Sequence, residues 1–141
     1  MLIYQWIQEK EGSALALRLK REPELKLALF VEPEALKAVW LAFGLPPRRA
    51  QDCLGGGPTR FESDEGYDFL TVSIPPLVGQ GEGFHHVSIL YEPRLLVIVA
   101  PRLPVLEAMQ NKPHAASAPE EDLGGLLYRF FDRLTRQDIL C

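Results

Sequence analysis

The residues of this chain whose types and placement could do chemistry are its carboxylates, above all Asp52, Glu62, Asp64, Glu65, Asp68 and Asp132. Hard divalent cations take clustered oxygen ligands, and carboxylates carried on different elements can converge to supply them. Asp52 falls in a short helical segment, Glu62 to Asp68 flank a strand turn, and Asp132 lies in the middle of the last helical stretch. Asp132 is three residues from Arg129 and four from Arg136 on one helical face, so an intrahelical ion pair explains it without a metal. A solvated acidic surface accounts equally for the other acids.

Other reactive residue types lack the context their chemistry needs. Gly55, Gly56 and Gly57 are not followed by the Gly-Lys-Ser/Thr and helix start of a phosphate-binding loop, and they read as a break. His85 and His86 are adjacent in a strand and point to opposite faces, and His114 is remote, so the histidines do not assemble a zinc site. Cys53 has no base near it in sequence and reads as a buried structural thiol. No serine sits in a nucleophile elbow.

The elements that position these groups follow from periodicity and punctuation. Segments 2–7 and 14–19 read as opening strands, the second because Leu15, Leu17 and Leu19 alternate with Ala14, Ala16 and Arg18. Segment 25–31 is a third strand. Pro33 opens a helix whose Leu36, Val39, Trp40 and Phe43 recur at three and four residues, with Gly44 placed to cap it. Pro46 and Pro47 end that helix and suit the start of another over 48–54. Segments 59–62 and 67–74 then form a hairpin around the acidic turn 63–66. Segments 84–91 and 94–100 make a further strand pair. The unbroken apolar run LLVIVA marks the second of these as central and covered on both faces. Pro104 starts a short helix to about residue 112, and the small, proline-flanked stretch 113–119 is a linker. The last helix begins near 120 with Glu120, Glu121 and Asp122 at its positive end. Its apolar stripe of Leu123, Leu126, Leu127, Phe130, Phe131 and Leu134 needs a partner on the sheet or on another chain. This pattern predicts an α/β layered domain over 1–112 with a mixed sheet, then the linker, then an amphipathic helix over 120–141.

At 141 residues the chain suits a single folded domain with a sizeable core. Hydrophobic residues are 47% and charged residues 24%, the balance of a globular rather than a disordered protein. A net charge of −4 provides no basic field for nucleic acid. No run reaches the roughly 20 apolar residues of a membrane-spanning helix, and the N-terminus lacks the pattern of a signal peptide. Two cysteines, Cys53 and Cys141, make no disulfide framework, which leads to an expectation of a reducing cytoplasmic setting.

The whole order of elements resembles the N-terminal cytoplasmic domain of the CorA family of magnesium and cobalt transport proteins. FGLPP (43–47) followed by AQDCL (50–54) is similar to the family's Gly-Leu-His-Pro and Glu-Asp-Ile/Cys-Leu run. PTRFE (58–62) and YDFLTVSI (67–74) resemble its next two strands, HVSILYEPRLLVIVAP (86–101) its paired strands, and LLYRFFDRLTRQ (126–137) the opening of its long helix. Together these motifs cover most of residues 25–140. The resemblance implies a three-layer α/β/α sandwich around a mixed sheet, ending in a long amphipathic helix that starts a stalk. It further implies a cytosolic, homo-oligomeric domain that assembles through that helix and senses divalent cations, Mg2+ or Co2+, weakly bound. Asp132 matches the family's helix aspartate and is the metal-site residue that carries over. Pro46 departs from the family's histidine, and Pro47 from a bulkier residue. With the chain ending at Cys141, the family's two transmembrane helices and Gly-Met-Asn pore motif are missing, so the resemblance implies an excised, truncated or stand-alone domain that does not itself conduct ions. Two alternatives stay open: a small cytoplasmic hydrolase built around Asp52, Cys53 and the histidines, and an oligomerisation domain that binds no metal.

Overall fold

The structure is a computed structural model that describes residues 2–55, 59–74, 85–102, 123–128 and 132. The predicted helix 104–112, the linker 113–119 and the chain after Asp132 lie outside the described residues.

Strands β1 (Leu2–Ile7), β2 (Lys26–Val31), β3 (Arg60–Asp64), β4 (Tyr67–Ile74), β5 (His85–Glu92) and β6 (Leu95–Val99) form one mixed sheet in the order β1-β2-β6-β5-β4-β3. β1, β2 and β6 run parallel, while β5, β4 and β3 continue the sheet as an antiparallel meander. A parallel pair needs a crossover between its strands, and helix α1 (Gly12–Arg21) provides it between β1 and β2. Helices α2 (Leu36–Phe43) and α3 (Pro47–Gly55) follow β2.

The second predicted strand, 14–19, is instead the body of α1. Gly12, Leu15, Ala16 and Leu19 fall three, four and seven residues apart, which makes one helical face. Leu15 and Ala16 are buried, whereas Leu17 is 47% exposed. The alternation Leu15-Leu17-Leu19 was therefore a coincidence of a leucine-rich helix. The close approach of α2 explains Gly12, since a Cβ there would stand 3.3 Å from the Ala42 Cβ.

The sheet is covered on both faces. Leu27, Leu29, Val31, Val97, Val99 and Leu90 point to a core shared with α1, α2 and α3, through Leu15, Leu36, Val39 and Trp40. Ala28, Phe30, Leu96, Ile98, Val87 and Ile89 point the other way, against a helix α4 that spans 123–128 and contributes Leu123 and Leu126. Every residue of β6 is buried, as its unbroken apolar run requires for a strand between two neighbours and two helical layers. The three-layer α/β/α sandwich is thereby present, with the apolar stripe of the last helix laid on its own sheet at Leu123 and Leu126.

Candidate functional site

Two turns aim the hairpin and α3 at one another. α2 ends on Gly44 in the left-handed region, φ 63°, where Gly44 N–H donates to the Leu41 carbonyl at 3.2 Å and Leu45 N–H to that of Trp40 at 3.0 Å. The Trp40 indole then donates to the Pro46 carbonyl at 2.8 Å, fixing where α3 begins. The β3–β4 turn closes through Gly66 at φ 91° and brings Asp64 opposite Tyr67.

The result is an ion-pair cluster around Arg49, a residue only 2% exposed. Arg49 contacts Glu62 at 2.5 Å, Asp52 at 3.1 Å and Asp64, and its Nε donates to the Tyr67 hydroxyl at 3.2 Å. Its guanidinium lies over the Phe69 ring, 4.8 Å from the centroid. Arg48 reaches Asp64 at 2.8 Å, and Arg60 reaches Asp52 at 2.8 Å and Glu62 at 3.7 Å. Burial alone would lower the Arg49 pKa; its hydrogen bonds to Tyr67, Asp64, Glu62 and Asp52 reverse this and raise it. The Asp64 carboxyl is held below its ordinary range, first by the hydrogen bond from Arg49.

The structure thus divides the candidate acids. Asp52, Glu62 and Asp64 converge on the α3 side of the sheet, where guanidinium groups take up their oxygens. Asp68 points to the other face, accepts a 2.6 Å hydrogen bond from Ser63 and lines a cavity of about 210 Å³. Phe61, Leu70, Tyr91 and Leu127 make that cavity apolar. Glu65 sits in the turn, exposed. Asp132 is helical and half-buried, with an interaction of its own, while Arg129 and Arg136 lie outside the described residues. Among the described residues no group of three or more ligand-type side chains is arranged to hold a metal ion.

Cys53 is buried, and burial pushes its thiol up to about 12; a hydrogen bond with Ser88 lowers it, nearby Asp52 raises it and Arg49 lowers it. A thiol in that state is not a nucleophile near neutral pH. His86 places Nδ1 3.5 Å from the Ser73 hydroxyl, whereas the side chain of His85 and all of His114 lie outside the described residues. A second concavity, about 520 Å³, lies between α2 and α3 and is lined by Lys37, Trp40, Leu41, Leu45, Ala50 and Gln51. None of these is a convergent acid–base pair.

Sequence reasoning missed two arginines. Arg49 belongs to RRAQD, where its spacing to Asp52 was a local signal, but its burial came only with the hairpin. Arg94, in the β5–β6 turn, donates to the Leu19 carbonyl at 2.8 Å, the Leu25 carbonyl at 3.1 Å and the Glu22 carbonyl. It closes the end of α1 from a position far along the chain, and no sequence signal marked it. At the end of the parallel strands Arg102 pairs with Glu32 at 2.8 Å and lies 4.6 Å from the Trp6 ring centroid.

No protein-family profile matches this chain, and no curated protein does. Among solved structures it is similar to the ZntB cytoplasmic domain from Vibrio parahaemolyticus, with a TM-score of 0.62 and 13% identity over 79% of this chain and 48% of that one. It is also similar to the soluble domain of CorA from Methanocaldococcus jannaschii, with a TM-score of 0.52 and 17% identity over 74% of this chain and 43% of that one. The chain spans about half the length of each of these chains. Its mixed sheet, layered between α1 to α3 on one face and α4 on the other, is the fold of the CorA and ZntB cytoplasmic domains.

Proposed function

We propose that this chain is a non-catalytic regulatory or structural domain of CorA type, working in the cytoplasm and sensing a divalent cation such as Mg2+ or Co2+. The observation that carries this reading is the α/β/α layering shared with the two solved domains, with α4 packed on the sheet where a stalk would begin. Asp132, itself helical, is the proposed metal contact, and homo-oligomers form through α4, whose Tyr128 is 73% exposed. Such a domain senses the ion and does not itself conduct it.

The hydrolase alternative loses support from the raised Cys53 thiol and from the pairing of Asp52 with two arginines. The test is thermal unfolding in chelator and then in millimolar magnesium or cobalt at matched ionic strength, with light scattering alongside. A ligand that binds the native state raises its melting temperature. A selective rise that Asp132→Ala abolishes supports the sensor. No shift with either ion, from an oligomer that stays intact, favours the assembly domain without metal.

A further inference from the structure

We propose that the groove between α2 and α3 binds a small amphipathic monocarboxylate, its apolar chain on Trp40, Leu41 and Leu45 and its carboxylate at Lys37. The turn that joins the two helices creates the groove. Only residues 44–46 separate α2 from α3. The turn is pinned where the Leu45 N–H donates to the Trp40 carbonyl and the Trp40 indole donates to the Pro46 carbonyl. Across from α2, α3 then presents Pro47, Ala50 and Gln51, which share one helical face at a spacing of three and four. Ala50 is too small to fill the space, and about 520 Å³ stays open between the helices. Leu41 on its wall is 85% exposed. An apolar occupant takes that surface out of water.

The chemistry of the lining sets the ligand class. Small-molecule sites are concave, roughly 300–1,000 Å³ in volume and mostly apolar, with a few polar groups that orient the ligand. Here Trp40 and Leu45 are buried and form the floor. The Trp40 indole N–H is directed at Pro46, so its ring offers the groove an apolar surface. Lys37 and Gln51 are exposed at the rim, one on each helix. Lys37 is four residues from Leu41, which sets its ammonium one turn along α2 from the apolar wall. It is the charged member of the lining, and a cation in a chain of net charge −4. An apolar trough with one ammonium at its rim is complementary to an apolar chain that ends in one carboxylate, and the Gln51 amide adds a neutral donor. The site uses neither α4 nor Asp132, so it stands or falls separately from metal sensing.

The test is a titration of the full chain with octanoate, with octanol and octylammonium as controls. In a Trp6→Phe chain Trp40 is the single tryptophan, so its emission reports on the groove. Octanoate should change that emission saturably, and each control should bind about fivefold more weakly. Lys37→Gln should weaken octanoate by about the same factor. Lys37→Glu should reverse the preference, octylammonium then binding more tightly than octanoate, an outcome that misfolding cannot produce. Ala50→Leu, which fills the groove, should abolish the response. In the chain without substitutions, octanoate should shift the amide NMR signals of Leu41, Gly44 and Gln51. A linear, unsaturable change in emission with no shift of those amides overturns the proposal. So does octanol binding as tightly as octanoate, or a Lys37→Glu chain that still prefers octanoate.

Discussion

The guanidinium of Arg49 lies 4.8 Å from the centre of the Phe69 ring, so a helix arginine and a strand aromatic, distant in sequence, close one end of the core. Around this contact Asp52, Glu62 and Asp64 balance the buried charge. The arrangement is structural: it clamps α3 to the β3–β4 hairpin. Breaking a buried charge network from one side is costly because the groups left behind have no partner. Here the carboxylates stay partly in water and the cost is moderated. Arg49→Ala is expected to lower stability by about 3 kcal/mol, read as a reduced midpoint in urea.

Asp64 gives the acid limb of stability. Its folded pKa is depressed, so the unfolded chain binds the proton more readily. The stabilisation is complete above the ordinary carboxylate range and is lost as pH falls through the folded pKa. Asp64→Asn should flatten the acid side of a plot of melting temperature against pH.

Glu92 acts in the opposite sense. Burial raises its pKa, so the folded chain holds its proton more firmly and stability falls as pH rises through the raised value. Glu92→Gln should raise the melting temperature at neutral pH relative to wild type and leave it nearly unchanged in acid.

Arg94 ties the β5–β6 turn to the end of α1 through three backbone carbonyls. Lysine keeps the charge but lacks the planar fork that reaches all three. Arg94→Lys is expected to cost about 2 kcal/mol. Hydrogen exchange should quicken at Glu22 and Leu25, whose amides close the turn between α1 and β2.

Cys53 offers a check on its environment. In a Cys141→Ser background, a thiol-alkylating reagent should leave Cys53 untouched at neutral pH and label it fully in denaturant, because burial keeps it protonated and covered. Rapid labelling of the native chain would mean a reactive thiol.

Much of the fold was legible because its signals are local. Gly44 and Pro47 punctuate the two helices, the acidic turn with Gly66 closes the hairpin, and the unbroken apolar run announced the central strand. Segment 14–19 misled because leucines two apart also occur on a helix, and only packing against α2 shows which of them are buried. The candidate site was less legible. Its acids could be named from sequence, but Asp68 and Asp64 lie on the same strand hairpin and end on opposite faces.

By itself the sequence determined the types of most elements and the apolar faces they had to bury, because periodicity and turn chemistry act over a few residues. Only the tertiary structure decided strand order, the two-sided cover of the sheet and the partners of the charged groups. Arg49 and Arg94 find theirs across the fold, where removal from water makes each unmet charge or carbonyl costly enough to select one arrangement.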